Sequence, residues 1–316
     1  MLSSAATSLT LLGRHLERAD HLGRILGVHV ALSLDRTEEP GSEFWVRFME
    51  LAGWRGSDTG TRDEAIEMVT GGTLGPSVRS SVAAARLAAQ AVRPSLPTEM
   101  YEQVNALHWR VQKGVQQADL YQFLMDVQMS IRLVDGLLED AMFHDEVRDF
   151  VRLGKFVERA GNVTSVVSRK SSELADTPED ALEWTAVLKC CFAFESYQAR
   201  YGGGVTADRV IECLVLDGSL PRSARFSSSN ALEAVARIEG KARRSKPLRL
   251  LTRLNGLYGQ ADTQSILDGP LDFDAECRAL LRQLEVAMRE TYFHPSRVPA
   301  AVAGEEGRGM PQQQQQ

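Results

Sequence analysis

The heptapeptide Gly13-Arg14-His15-Leu16-Glu17-Arg18-Ala19 has a close counterpart, 141 positions further on, in Gly154-Lys155-Phe156-Val157-Glu158-Arg159-Ala160. Around each copy, apolar or small residues recur at alternating steps of three and four, which is typical of a long amphipathic helix. The copies also share Gly, Glu and Arg at matching positions. Because helical periodicity does not select polar residues, the match indicates a repeated unit.

Two further matches follow in the same order along the chain. Trp45 corresponds to Trp184 at an offset of 139, and the pattern L-x-x-S-x-R-x-S at 74–81 returns at 220–227, at an offset of 146. Nearly constant offsets predict a tandem duplication. The period is far longer than that of solenoid repeats, so we expect one bundle with pseudo-twofold symmetry.

The composition agrees with an all-α fold. Only 7% of the residues are aromatic, and long stretches rich in Ala, Leu, Arg and Glu favour helices over a β-sandwich. We therefore predict a single all-α helical bundle over residues 1–300, with repeat halves of about 1–140 and 141–300. The segment 301–316, which ends in five glutamines, is predicted to be a disordered, Gln-rich tail.

Composition and charge exclude several classes of protein. Hydrophobic residues make up 43% and charged residues 25% of the chain, as in ordinary globular proteins, which excludes a largely disordered or fibrous chain. A formal net charge of −6 gives no global electrostatic reason to bind nucleic acid or an anionic membrane. No apolar run reaches the roughly 18 residues of a membrane span. We expect a cytoplasmic protein without nucleic-acid or membrane partners.

The cysteines, glycines and histidines match no familiar metal or cofactor motif. Four cysteines without CxxC spacing, at positions 190, 191, 213 and 277, predict small buried thiols. The glycines of 71–75 are not followed by the Lys-Ser/Thr of a P-loop. No histidine stands three residues after a glutamate, as a helical di-iron site requires. We expect neither a metal site nor a cofactor in this chain.

The paired glycines indicate where the two repeats meet. A glycine inside a helix costs about 1 kcal/mol relative to alanine. Its presence at both Gly13 and Gly154 therefore suggests a close backbone approach, at a point where the two equivalent helices cross.

The repeated charged residues supply the main candidate site. Glu17 and Arg18 diverge on one helix, but across a pseudo-twofold axis Glu17 could reach Arg159 while Glu158 reaches Arg18. One interpretation is a structural lock of reciprocal ion pairs. The other is a pocket between the repeats for a ligand that carries a carboxylate, a phosphate or an amine. The residues of this candidate centre are Arg14, Glu17, Arg18, Lys155, Glu158 and Arg159.

The repeated turns and one basic segment supply weaker candidates. Ser77 and Ser223 follow turns at which helices could begin, which favours a role as N-caps. With Arg79 and Arg225 they could instead bind an anion at the helix N-termini. The segment 237–253 carries seven basic residues against one glutamate. It could dock a nucleic acid or an acidic partner, although such runs are usually solvated helix faces.

The motif GRHLERAD at 13–20, followed by FHDEVRDFVRLGKFVERAGN at 143–162, resembles the bacterial alpha-E domain family. The resemblance covers nearly all of 1–295 and includes SLPTEMYEQVN at 95–105 and the L-D-x-x-x-P-R-S turn at 216–223. Some positions depart from the family pattern. Its usual Arg-Glu-Asn reads Arg86-Leu87-Ala88, and its usual Arg and Trp near the second motif read His144 and Arg148. Lys155 also replaces an arginine, which suggests a divergent member.

This resemblance implies a link to circularly permuted ATP-grasp proteins, often with transglutaminase-like proteins alongside. Such systems look like makers or modifiers of small peptides through amide bonds. The ATP and Mg²⁺ that ATP-grasp chemistry needs are expected in that partner, because this chain shows no equivalent nucleotide site. The leading hypothesis is a non-catalytic accessory subunit that holds a substrate or scaffolds the complex. The alternative is an enzyme in its own right, with Glu17 or Glu158 as acid or base in a cleft between the repeats.

Overall fold

The computed structural model describes residues 3–35, 40–54, 60–72, 75–115, 119–174, 180–240 and 244–293. The tail predicted at 301–316 lies outside these residues. Within them every regular element is a helix and no β-strand occurs, which confirms the all-α prediction. No helix in this part of the chain is both long and apolar enough to cross a membrane.

Fourteen α-helices make up the described part of the chain. In order they are α1 (Ser3–Leu34), α2 (Ser42–Leu51), α3 (Arg62–Gly71), α4 (Val78–Ala91), α5 (Thr98–Gln112), α6 (Leu120–Asp140), α7 (Glu146–Glu173), α8 (Ala181–Cys190), α9 (Phe194–Tyr201), α10 (Ala207–Ile211), α11 (Ala224–Glu239), α12 (Lys246–Gln260), α13 (Thr263–Asp268) and α14 (Pro270–Met288). Helices α10 and α14 continue as π-helical turns, Glu212–Leu216 and Arg289–Phe293.

The two helices that carry the repeated heptapeptide lie at the centre of the bundle. Helix α1 packs along α4, α6 and α7, and helix α7 packs along α1, α11 and α14. Each has a seam of buried residues such as Leu9 and Leu12 of α1 and Leu153 and Val167 of α7. Because other helices cover both α1 and α7 on several sides, these two helices form the centre of the core.

Helices α1 and α7 approach each other closely at Gly13 and Gly154. A Cβ atom at Gly13 would overlap the carbonyl oxygen of Val151 and lie 3.0 Å from its carbonyl carbon. A Cβ atom at Gly154 would overlap the carbonyl oxygen of Thr10 and lie 2.8 Å from its carbonyl carbon. Each glycine therefore lies against the backbone of the other helix, which is the close approach expected from the sequence.

The core between the helices is apolar and also contains the cysteines. Trp45 of α2 and Trp184 of α8 are both buried, and Phe48 packs beside Trp45 with ring centroids 5.9 Å apart. All four cysteines are free and buried, which confirms the prediction of buried thiols. Burial raises the pKa of Cys191 to about 12, so this thiol stays protonated at neutral pH.

His29 of α1 makes the stability of the fold depend on pH. It is 4% exposed, its Nδ1 lies 2.8 Å from the carbonyl oxygen of Ile25, and its ring lies 4.9 Å from that of Phe48. Burial lowers the pKa of His29 to about 4, against 6.5 in an unfolded chain. The unfolded state therefore binds more protons below pH 6.5, and stability is lost as the pH falls from there towards 4.

We expect His29 alone to cost about 2 kcal/mol of stability at pH 5, at 1.36 kcal/mol for each pH unit below 6.5. Urea denaturation at pH 7 and pH 5 measures this loss. In the His29→Gln variant, the difference between the two pH values should be smaller by that amount. An unchanged difference would show that the histidine becomes protonated in the folded protein without cost.

Candidate functional site

The first group of charged residues at the α1–α7 crossing is a buried ion pair. The carboxylate of Glu17 accepts hydrogen bonds from Nε and Nη2 of Arg159, at 2.6 and 2.5 Å. Both side chains are only 6% exposed. Although burial alone would raise it, the Arg159 guanidinium lowers the pKa of Glu17, so the carboxylate is ionised. Glu17 therefore reaches Arg159 across the crossing of the two helices, as expected from the sequence.

The Glu17–Arg159 pair belongs to a larger buried network. Asp20 accepts two hydrogen bonds from Arg24, at 2.9 and 2.8 Å. Arg222, from the turn before α11, lies 3.1 Å from Asp20 and 3.8 Å from Glu17. This extension was not predicted from the sequence. The i,i+4 spacing of Asp20 and Arg24 was the available signal for one pair, whereas nothing local placed Arg222 beside them.

An aromatic side chain packs on the outer side of this network. The ring of Phe192, between α8 and α9, lies under three guanidinium groups, with Arg24 at 4.3 Å, Arg132 at 4.4 Å and Arg222 at 5.2 Å from its centroid. Phe192 has a φ of 55°, a strained conformation for a residue with a side chain. Cation–π attraction to these arginines offsets part of that strain.

The second group of charged residues surrounds Glu158. Its carboxylate accepts hydrogen bonds from Arg18, at 2.7 and 3.1 Å, and from Nε of Arg14, at 2.9 Å. Arg14 also bonds Glu285 of α14, at 3.1 Å. Burial alone would raise the pKa of Glu158, but Arg18 and Arg14 lower it. Since the two arginine side chains are 30% exposed, this group reaches solvent on one side.

Lys155 forms its ion pair with a residue outside both groups. Although it occupies the position of Arg14 in the second repeat, its amine bonds Asp135 of α6 at 2.8 Å. Its side chain is 11% exposed, and it does not line the cleft beside Glu158. The expectation that Lys155 lines a shared pocket with Arg14 is therefore wrong, because Asp135 holds the amine against α6.

The Glu-Arg dipeptide occurs twice in this chain, at Glu17-Arg18 and Glu158-Arg159, and both copies meet at one helix crossing. The sequence model of the Alpha-E family, described as a predicted alpha-helical domain with a conserved ER motif, matches residues 1–293. The protein belongs to the Alpha-E family. Comparison with curated proteins and with solved structures found no match.

The Alpha-E protein has an open cleft beside Glu158. It has a volume of about 640 Å³ and lies between α1, α7 and α14, with the end of α2 at one side. Six arginines line it, namely Arg14, Arg18, Arg169, Arg278, Arg282 and Arg289, against the three glutamates Glu50, Glu158 and Glu285. His21 adds no charge at neutral pH because burial lowers its pKa to about 4. The charges that line the cleft therefore sum to a positive value, and the cleft is basic.

The two motif glutamates differ in their access to open space. Beside Glu17 lies a cavity of about 10 Å³, enough for one water molecule. Glu158 lines the large cleft, but it is ionised and already accepts bonds from two arginines. An ionised carboxylate has no proton to donate, and one saturated by arginines is a weak base. The geometry therefore favours binding over acid–base chemistry at both positions.

The repeated serines of the Alpha-E protein are helix caps. The Ser77 side chain accepts a hydrogen bond from the backbone N–H of Ser80 at 3.0 Å, at the start of α4. The Ser223 side chain does the same for Phe226 at 3.0 Å, at the start of α11. Both serines are fully buried. Both serines therefore cap their helices, which was one of the two roles considered for the repeated turns.

The neighbouring arginines bind carbonyl groups of the chain. Arg79 donates to the side-chain and main-chain oxygens of Gln112, at 3.1 and 2.8 Å. Arg225 donates to the carbonyl oxygen of Leu216 at 3.2 Å. Because these arginines are engaged elsewhere, the structure does not support the alternative of an anion site at the two helix N-termini.

The basic segment 237–253 is partly neutralised within the protein. Arg237 forms a two-pronged ion pair with Asp149 of α7, at 2.7 to 3.1 Å. Lys246 lies 3.4 Å from the carboxylate of Glu290, in the π-helical turn after α14, and Arg253 lies 3.6 Å from that of Glu276 on α14. Lys241 and Arg243 fall outside the described residues. Over the described residues of the whole chain, no cluster of three or more His, Cys, Asp and Glu could hold a metal ion.

Proposed function

We propose that this Alpha-E protein is a non-catalytic accessory subunit of an ATP-grasp-linked peptide or amide-ligase system, in which it holds a substrate or scaffolds the complex. The observation that carries the proposal is the basic cleft of about 640 Å³, whose motif carboxylate, Glu158, is ionised and already bonded to arginines. Such a site can bind a charged group, whereas a carboxylate held by two arginines is poorly suited to act as an acid or a base.

The rigidity of the site supports this proposal. Binding groups are most effective when their rotamers are fixed before the ligand arrives. Arg14 and Arg18 are held by Glu158, and the helices below them are fixed by the glycine contact and by the buried Glu17–Arg159 pair. The cleft therefore has one wall of prearranged guanidinium groups.

The arrangement of helices also supports a tandem duplication with pseudo-twofold symmetry. Helix α4 packs along α1, and helix α11 packs along α7, with a capping serine at the start of each. The glycine contacts between α1 and α7 are reciprocal. In this proposal the cleft lies on one side of the crossing because Lys155 and Arg14, the equivalent cations, have different partners.

The proposed partner is a circularly permuted ATP-grasp protein, which would supply ATP and Mg²⁺, and a transglutaminase-like protein is a further proposed partner. All would act in the cytoplasm. Co-expression of a tagged Alpha-E chain with an ATP-grasp protein from the same genome tests the proposal. We expect a stable complex on size exclusion, and ATP-dependent formation of an amide product that needs both chains.

The Arg209→Gln variant is the control in this test, because Arg209 is exposed on α10 and lies outside both the cleft and the segment 237–253. It should keep both the complex and the product. If the ATP-grasp protein forms no complex and gives the same product at the same rate alone, the accessory role is rejected. Product formation by the Alpha-E chain alone that is lost in Glu158→Gln would instead support the enzyme alternative.

A further inference from the structure

The basic cleft contains two arginines that no carboxylate of the described residues neutralises. Four of the six arginines contact a carboxylate, namely Arg14, Arg18, Arg169 and Arg278. Arg282 and Arg289 make no ion pair with any residue that the structure describes, and both side chains are exposed at the cleft. Two guanidinium groups are therefore free to pair with an anion from outside.

The spacing of these two arginines indicates the shape of that anion. Arg282 and Arg289 are seven residues apart on α14 and its continuation, so they lie on the same face of the helix. At 1.5 Å per residue their backbone positions are about 10 Å apart. One small anion would contact both only if the long side chains bent towards each other. Two anionic groups about 10 Å apart fit the spacing directly.

The uncharged part of the cleft lining is suited to an amide backbone with small side chains. It includes apolar residues such as Leu11, Val157 and Leu281. It also contains Asn162, whose buried Nδ2 has no hydrogen-bond partner among the described residues. This side chain also lines the small cavity beside Glu17, and an unpaired buried donor is costly. If the amide turns into the cleft, a carbonyl oxygen of a ligand satisfies the donor.

We infer that the cleft binds an extended acidic peptide, whose carboxylates pair with Arg282 and Arg289 and one of whose backbone carbonyls accepts a hydrogen bond from Asn162. In the polyproline II conformation, residues i and i+3 share a face about 9 Å apart, which matches the two arginines. This inference rests on the proposed function and names the substrate class of the same site.

The probe that tests the inference is N-acetyl-Glu-Ala-Ala-Glu-amide, compared with N-acetyl-Gln-Ala-Ala-Gln-amide and with inorganic pyrophosphate. Calorimetry on the full chain should show binding of the Glu peptide, at least tenfold weaker binding of the Gln peptide, and pyrophosphate no tighter than the Gln peptide. Binding of pyrophosphate in preference to the Glu peptide would overturn the peptide assignment, as would equal affinity for the two peptides.

A double variant locates the site. Arg282→Gln with Arg289→Gln should weaken binding of the Glu peptide at least tenfold. Lys113→Gln with Arg209→Gln, an exposed pair outside both the cleft and the segment 237–253, should change it less than twofold. Both variants remove two charges, and thermal melts should show that both fold. If the two double variants lost equal affinity for the Glu peptide, the assignment of the site to Arg282 and Arg289 would be overturned.

The binding test needs no second protein, so its result is independent of complex formation. If the Glu peptide fails to bind while the ATP-grasp complex still forms, the ligand class is wrong and the accessory role stands. If the peptide binds, but no complex forms and the ATP-grasp protein gives the same product at the same rate alone, the accessory role fails and the acidic-peptide site stands.

Discussion

Gly154→Ala is expected to destabilise the protein by about 3 kcal/mol or more, the upper end of the cost of overpacking a core. A Cβ at this position overlaps the carbonyl of Thr10, which is helix backbone and cannot rotate away. Helices α1 and α7 would have to separate, and this would loosen the packing of Leu9 and Leu153 at the centre of the bundle. Urea denaturation of the purified variant measures the loss.

Gly136→Ala is the matched control for this substitution. Gly136 is exposed in the interior of α6, and a Cβ there would meet no atom within 4 Å. Alanine is the better helix former, so this variant should gain up to about 1 kcal/mol. The same chemical change thus has opposite expected signs at two helical positions. A gain in stability at Gly154 would contradict the close approach of the two helices.

Glu17→Gln is expected to cost about 3–5 kcal/mol, the range for removal of one partner of a buried ion pair. The substitution leaves Arg159 buried without its counter-charge. Arg222 also loses one of its two neighbouring carboxylates and keeps only Asp20. Because the pKa of Glu17 is lowered in the folded state, the stabilisation is present at pH 7. It disappears as the pH falls below about 4.5, the value for an unfolded glutamate.

Glu158→Gln is the matched comparison for this prediction. Its partners Arg14 and Arg18 are 30% exposed, so they can turn to solvent when the carboxylate is lost. We expect a cost of about 1 kcal/mol, closer to the value for a surface pair. Denaturation curves of both variants at pH 7 give the two values. Equal losses would show that Glu17 is not more strongly coupled to its surroundings than Glu158.

Exchange of the charges of one pair is a stricter test of how isolated that pair is. If Glu17 and Arg159 formed an independent lock, the double variant Glu17→Arg with Arg159→Glu would restore folding. The structure places Arg222 and Asp20 beside them, so an arginine at position 17 would face Arg222 and a glutamate at position 159 would face Asp20. We expect the exchange to fail to restore stability because the pair is part of a network.

Much of the fold and of the charged centre was predictable from local patterns. The three-four periodicity of 9–30 encodes a long amphipathic helix, because side chains at those steps share a face. Glycine inside such a helix is unfavourable, so Gly13 and Gly154 could be assigned to a close helix contact. Neighbouring Glu and Arg cannot pair on one helix, which left partners on the other repeat as the simplest solution.

The remainder of the site depends on residues that no local pattern connects. Arg222 and Phe192 come from turns, Asp135 captures Lys155 from α6, and Arg282 enters the cleft from α14. Which side chains converge from such separate elements is set by how the helices pack. The sequence by itself determined the helices and the contact between the two helices that carry the Gly-x-x-x-Glu-Arg pattern, because periodicity and steric cost are local properties. The tertiary structure alone decided which carboxylates are sealed, which arginines stay unpaired and where the cleft opens, because those depend on contacts between distant parts of the chain.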